Sequence, residues 1–393
     1  MLRIRLFALF LLMSLSGASL LLSQGSVDGV SGEAVPLPMI DKAGDTIALD
    51  ESESVADTLV AVDGGEDDAG VGREDEESDT ARATDPMAGP DYPTLTPEEY
   101  RMAGGPRYTI FGTLPYRDTH VRPIPAVATG LVVTGMVAGI HFYQQKAWWS
   151  DRRTDFHFST DWGYAAQADK LGHMYAGYIT SYIGYEALVA SGFSRETAGW
   201  FGPLLALGFQ TYVEIEDGFS PFGFDPTDQY ANTIGPLLFS LRNYIAPLQN
   251  LSLKWTYLPN DDYITGDRYG HETFFVTDYN GQTIWLSLKI GNILPDSFGW
   301  PNWLRLAAGY GAVNVDRWIT TADPNDYELQ TPGRRWMIAL DYDMVELLPA
   351  LGVKDLGTFG NWILQSLDMF HLPAPALQLT PEVKFYLMWP VTF

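Results

Sequence analysis

Asp169 and His173 stand four residues apart, and so do Asp228 and Asn232. Side chains at that spacing share one face of a helix. Glu214 lies between the two pairs, with Gln210 about one helical turn before it and Lys170 beside Asp169. An imidazole flanked by carboxylates is a plausible general base, with one carboxylate fixing its tautomer. In that arrangement His173 is the base, Asp169 its orienter and Glu214 a further catalytic group. Asp228, Asn232 and Lys170 then bind a substrate or an ion. No cofactor motif is evident, but the same oxygen and nitrogen donors can hold a divalent cation. The plainer alternative is a buried hydrogen-bond network that locks helix ends, with Asp228 favouring a helix dipole. No nucleophile elbow, phosphate loop or zinc-protease motif appears, and the glycines from Gly130 to Gly139 read as helix packing.

Such a cluster needs helices whose ends meet. The charge-free stretch from Pro123 to Ile140 is just long enough to span a bilayer. Its small residues would let another helix approach closely, so a buried bundle helix is the competing reading. A second helix is expected over Leu171 to Ala190. A third should run from Thr197 to Glu214 behind Ser194 as its N-cap, because a serine oxygen can accept from the first free backbone N–H groups. Asp225-Pro226-Thr227-Asp228 starts a fourth, with a capping carboxylate, a proline at the first helical position and negative charge in the first turn. That helix should end near Tyr244. Pro203 and Pro236 should strain or kink the helices that hold them. In an antiparallel bundle, the start of the second helix, the end of the third and the start of the fourth fall on one side.

From Asn250 the period becomes two. Leu251, Leu253, Trp255 and Tyr257 alternate with Ser252, Lys254 and Thr256. The same alternation recurs over Thr283 to Ile290, Arg335 to Tyr342 and Val383 to Trp389, with Leu304 to Val313 a further strand. These are antiparallel strands with one apolar face. Asn280-Gly281 is a turn signal, and a helical interruption is expected over Asn361 to Phe370. Weaker strand candidates are Tyr108 to Thr113, Thr273 to Thr277 and Ala376 to Leu379. An apolar face with aromatic ends is similar to outer-membrane barrel strands, so both a curved sheet and a small barrel fit. The fold class is therefore α+β: an apolar helical bundle of about four helices (96–249), then an antiparallel β region (250–393).

Residues 1–25 read as a signal peptide: Arg3 and Arg5, an apolar run from Leu6 to Leu15, then Ser16-Gly17-Ala18. The alternative is an uncleaved N-terminal anchor. Residues 26–95 hold 19 acidic residues against Lys42, Arg73 and Arg82, with Tyr92 the only aromatic. Such a segment cannot bury enough apolar surface to offset its ordering entropy, so an acidic disordered linker is expected. The whole chain carries 24 basic and 49 acidic residues, a net charge of −25. That balance argues against nucleic acid as a partner, since little that is basic is available to neutralise phosphates. The absence of cysteine excludes disulfides and thiolate chemistry. The 12 tryptophans and 21 tyrosines suit membrane interfaces.

The run Asp169-Lys170-Leu171-Gly172-His173, with Glu214, Asp228, Asn232 and Gly235, resembles an uncharacterised bacterial envelope family. That family is known as predicted periplasmic lipoproteins, domain of unknown function 2279. Trp148-Trp149-Ser150, Phe156-His157-Phe158, Glu216 to Ser220, Asp278 to Thr283, Gly309-Tyr310-Gly311 and Leu372 to Leu377 extend the likeness from about Arg107 to the C-terminus. One departure is that this chain has no cysteine to lipidate. A shorter likeness, over Asp169 to Leu238, is to the VanZ-like membrane proteins. The signal sequence and the resemblance together imply export to the cell envelope, on the periplasmic side of a membrane, and the barrel-like strand pattern favours the outer membrane. Membrane lipid or envelope proteins are the expected partners, in an unspecified oligomeric state. A structural or lipid-handling role is expected first, and a membrane-embedded hydrolase or transferase acting on a lipid or lipid-linked phosphate second.

Overall fold

The computed structural model describes residues 92–145, 149, 153–259, 276–320, 327–353 and 355–391. The expected signal peptide and nearly all of the acidic segment lie outside them. The architecture is α+β, helices first and an antiparallel six-stranded sheet after.

Helix α1 spans Pro123–Gln144, with proline in its first turn and no charged residue before His141. Among the described residues it is the one helix long and apolar enough to cross a membrane. It is not a buried bundle helix, because Ile124, Val127, Leu131 and Phe142 all stand exposed.

Helices α2 (Ala168–Ala190), α3 (Arg195–Gly218) and α4 (Pro226–Arg242) pack on one another. Ser194 Oγ accepts from the N–H of Thr197, and Asp225 Oδ1 from that of Thr227 at 2.7 Å, so both expected caps form. Helix α3 runs one turn past Glu214, which places that residue inside the helix rather than at its close. Helix α2 starts earlier than expected, taking Asp169 and Lys170 into its first turn. Pro203 lies within α3 and donates nothing to Gly199. The freed Gly199 carbonyl instead accepts from Ser240 Oγ on α4 at 2.9 Å, which turns a local defect into an interhelical tie. Tyr175, Tyr178 and Tyr182 of α2 share a core with Leu253, Trp255 and Tyr257 of the sheet.

The sheet is a meander. Its strands are β1 (Leu251–Tyr257), β2 (Gln282–Leu288), β3 (Leu304–Val313), β4 (Gly333–Tyr342), β5 (Ala374–Gln378) and β6 (Lys384–Trp389), each hydrogen-bonded antiparallel to the next. Among the described residues the strand order is open, with β1 and β6 at its two ends. The free edge of β1 is met at Trp255 by a parallel bridge to Phe370, and His371 N–H donates to the Trp255 carbonyl at 3.0 Å. Tyr108 to Thr113 forms turns rather than a strand, while Ala376 and Leu377 do lie in one. Of Thr273 to Thr277, the last two residues form a turn and the others lie outside the described residues.

Register decides which side of each strand meets which. Leu286, Ala308, Ile338, Leu377 and Phe385 are linked partner to partner across five strands. All five are exposed. The opposite face carries Lys254, Thr283, Ser287, Arg305, Arg335, Asp341 and Gln378, all buried. Lys254 Nζ lies 2.6 Å from Asp341 and 2.9 Å from Asp368, and Arg305 bridges Asp343 at 2.7 Å and Asp368 at 3.0 Å. Where α2 covers it, over Leu253, Trp255, Tyr257 and Ile284, this outer face is core; beyond that it turns aliphatic side chains outward while most of the sheet's charges lie inside, the reverse of a water-soluble sheet.

His371 sits within that buried face, stacked on Trp285 with ring centroids 4.0 Å apart, and its Nε2–H donates to the Leu340 carbonyl at 3.0 Å. Burial, reinforced by Lys254 and opposed by Asp341, pulls its pKa down to about 4. The unfolded chain takes up this proton near the usual histidine value, well before the folded chain does. Stability should therefore fall as pH drops from about 6.5 to 4, by on the order of 3 kcal/mol from this group. Thermal melting across that window should show the fall in wild type and a shallower one in His371→Phe. Equal slopes in the two proteins would contradict the assignment.

Candidate functional site

A strained turn delivers the site. Ala165, Ala166 and Gln167 are non-glycine residues with φ of 44°, 52° and 67°, immediately before α2. Such residues are uncommon in the left-handed region because Cβ crowds the carbonyl oxygen. The Tyr310 hydroxyl donates to the Ala166 carbonyl and fixes the turn against β3. The chain then enters α2 with Asp169 and Lys170 facing inward. A β-branched side chain fits this conformation worst. Ala166→Val should lower stability by about 2 kcal/mol, whereas Ala166→Gly should be neutral or slightly stabilising. Chemical denaturation of the two variants checks this, and equal effects would remove the strain argument.

All six expected residues converge. Asp169, Lys170 and His173 come from α2, Glu214 from α3, and Asp228 and Asn232 from α4, and every one is buried. Lys170 Nζ is the hub. It lies 2.9 Å from Asp169 Oδ2, 2.8 Å from Asp228 Oδ1 and 3.3 Å from Asp225 Oδ2, and it also contacts Asp161. The His173 ring faces two different sides. Its Nδ1 lies 3.1 Å from Asn232 Oδ1 and 3.5 Å from Glu214 Oε1. Its Nε2 lies 3.8 Å from Asp169 Oδ1 and 3.7 Å from Asp228 Oδ1. Asn232 Oδ1 also accepts from Gln210 Nε2 at 3.1 Å, and Asn232 Nδ2 donates to Glu214 Oε1 at 3.1 Å. The group that orients the ring is therefore Asn232, while Asp169 faces the other nitrogen.

Three contributors escaped the sequence reading. Tyr279 donates its hydroxyl to Asp169 Oδ1 at 2.7 Å. Asp225 caps α4 through Oδ1 and meets Lys170 through Oδ2. Asp161, in the loop before α2, meets Lys170, and its backbone N–H donates to Asp225 Oδ2 at 2.9 Å. Burial and a hydrogen bond shared with Asp225 raise the Asp161 pKa to about 6. Asp225 moves the other way: burial opposes its charge, but hydrogen bonds from Asp161 and Thr227 outweigh it and hold the pKa low. Tyr279 and Asp225 did carry a signal, the first in the Asp278 to Thr283 run and the second as a cap. Asp161 carried none.

Residues 157–244 match the family model described as "Predicted periplasmic lipoprotein (DUF2279)". The matched stretch contains α2, α3 and α4 and all six converging residues. No curated protein and no solved structure matches the chain.

Proposed function

We propose that the chain is an exported cell-envelope protein that seats in a lipid bilayer, the outer membrane in preference to the inner, and serves there structurally or in handling lipid. One observation carries this reading: beyond the part covered by α2, the sheet exposes aliphatic side chains, Leu286, Ile338, Leu377 and Phe385 among them, and buries most of its charges on the other face. In water that arrangement is unfavourable on both counts, whereas against hydrocarbon it is the expected one. The helices agree with it. Trp200, Phe201, Leu204 and Leu205 of α3 and Ile234 and Leu237 of α4 are exposed, as is most of α1. Contiguous apolar surface of that extent marks a partner or a membrane. The family description of residues 157–244 supports the periplasmic side of the envelope.

Flotation of the purified protein with phospholipid vesicles tests the proposal. Wild type should float, and its tryptophans should be quenched by bromine-labelled acyl chains. Ile338→Asp combined with Leu387→Asp, both on the exposed face, should weaken flotation while far-ultraviolet circular dichroism stays unchanged. A wild-type protein that remains in the aqueous fraction would sink the reading. Membrane fractionation of producing cells decides between outer and inner membrane.

The His173 ring between carboxylates favours a second reading, a hydrolase or transferase acting on a lipid or lipid-linked phosphate, with His173 as base. Burial of every member of the cluster weighs against it, since no phosphoester reaches a ring that is 2% exposed without movement of the helices. Turnover of such a substrate by wild type, lost in a folded His173→Asn variant, would reverse that order.

A further inference from the structure

We propose that His173 Nε2, Asp169 Oδ1 and Asp228 Oδ1 form a binding site for one first-row divalent cation of the zinc or manganese type. The inference stands apart from the membrane reading and rests on the state of one nitrogen. His173 Nδ1 lies at hydrogen-bond distance from Asn232 Oδ1, which is an acceptor, so Nδ1 carries the proton. The Asn232 amide is itself fixed, since its oxygen also accepts from Gln210 and its nitrogen donates to Glu214. In the neutral ring that leaves Nε2 as a lone pair. It is buried, it makes no hydrogen bond, and the oxygens facing it at 3.7 and 3.8 Å are too far to bond. Two carboxylates facing this buried nitrogen call for positive charge between them, either a proton on Nε2 or a metal ion in its place.

The spacing suits a metal. The three donor atoms all lie within 4.8 Å of one another, with Nε2 at 3.7 and 3.8 Å from the oxygens. A point equidistant from them is roughly 2.0–2.4 Å from each, the range of zinc–nitrogen and zinc–oxygen bonds. Each donor also has the outer support that metal ligands commonly have. Asn232 holds the ring tautomer, the Tyr279 hydroxyl donates to Asp169 Oδ1 at 2.7 Å, and Lys170 lies 2.8 Å from Asp228 Oδ1. The carboxylate oxygens keep a second lone pair for the ion. Charge points the same way: Asp161, Asp169, Asp225 and Asp228 gather around a single ammonium, that of Lys170, so a divalent ion among them relieves the excess. One imidazole among two carboxylates selects a borderline metal over calcium or magnesium, which prefer oxygen donors alone.

The test uses the full chain in detergent, stripped with a chelator and titrated with Co²⁺ as an optical stand-in for zinc. We expect visible ligand-field bands that saturate at one equivalent and are displaced by Zn²⁺ but not by Ca²⁺ or Mg²⁺. His173→Gln and Asp228→Asn should each weaken this site at least tenfold. Gln210→Ala, which loosens only the Asn232 amide, should weaken it less and serves if the first two variants do not fold. Wild type that shows no such bands overturns the proposal. So does binding of equal strength in folded His173→Gln, which would place the ion elsewhere, the acidic segment of residues 26–95 being the obvious place.

Discussion

Lys254→Met should destabilise the protein by about 3–5 kcal/mol, measured by denaturation of the purified protein in detergent. The ammonium is fully buried, lies 2.6 Å from Asp341 and 2.9 Å from Asp368, and donates to the Tyr342 carbonyl at 3.2 Å. Methionine fills nearly the same volume, so packing changes little. What changes is that two carboxylates lose their closest cation while staying out of water. Arg305 still reaches Asp368, but no cation lies as close to Asp341, which keeps the hydrogen bond from the Ser287 hydroxyl. The double variant Lys254→Met with Asp341→Leu should recover much of the loss, because replacing a buried pair is far milder than breaking one. A loss under about 1 kcal/mol in the single variant would show that water reaches this network, and the case for an inverted sheet would weaken with it.

The same residue shows where reading the sequence stopped. Alternation in Leu251 to Tyr257 separates two faces of a strand without saying what covers each, and in the structure both are covered. The usual assignment places Lys254 in water and Leu286 in a core. The structure does the opposite, because the partners that make a buried lysine tolerable, Asp341 and Asp368, arrive from positions 87 and 114 residues further along the chain. Nothing local to Lys254 announces them. The helical part was more legible because its signals are local. Ser194 and Asp225 cap as their types require, and the i, i+4 pairs had to share a face. The cluster was found from those pairs, with Glu214 added from the end of the intervening helix and Lys170 from its place beside Asp169. Its outer support was not: Tyr279 arrives from a turn before β2, and the left-handed run at Ala165 to Gln167 contradicts what alanines usually do. A run of alanines leading into a helical pattern reads as more helix, and only the tie from Tyr310 to Ala166 shows why the chain bends there instead.

Gly235→Ala tests whether the fold and the site are one mechanical object. A Cβ at this position would lie 2.0 Å from the Met174 carbonyl oxygen and 3.0 Å from the Tyr178 backbone nitrogen. Both are main-chain atoms of α2, so no side chain can turn away, and α2 and α4 must separate by on the order of 1 Å. Overpacking of this kind costs about 3 kcal/mol when the obstacle is backbone. The separation also acts on chemistry. Met174 follows His173, and Asn232 lies almost one turn before Gly235, so the same movement stretches the 3.1 Å contact between His173 Nδ1 and Asn232 Oδ1 beyond hydrogen-bonding reach. The ring then loses the partner that fixes its tautomer. Gly208→Ala is the matched control: it adds the same methyl to α3 where nothing lies within 4 Å, and it should stabilise by about 0.5–1 kcal/mol through helix propensity. Melting of both variants, together with Co²⁺ titration of each, separates the two consequences. If Gly235→Ala melts with wild type, the close approach of α2 and α4 is wrong. If it melts far below wild type but binds the ion unchanged, the helices are clamped together by something other than the residues that hold His173, and the site tolerates a separation that its geometry forbids.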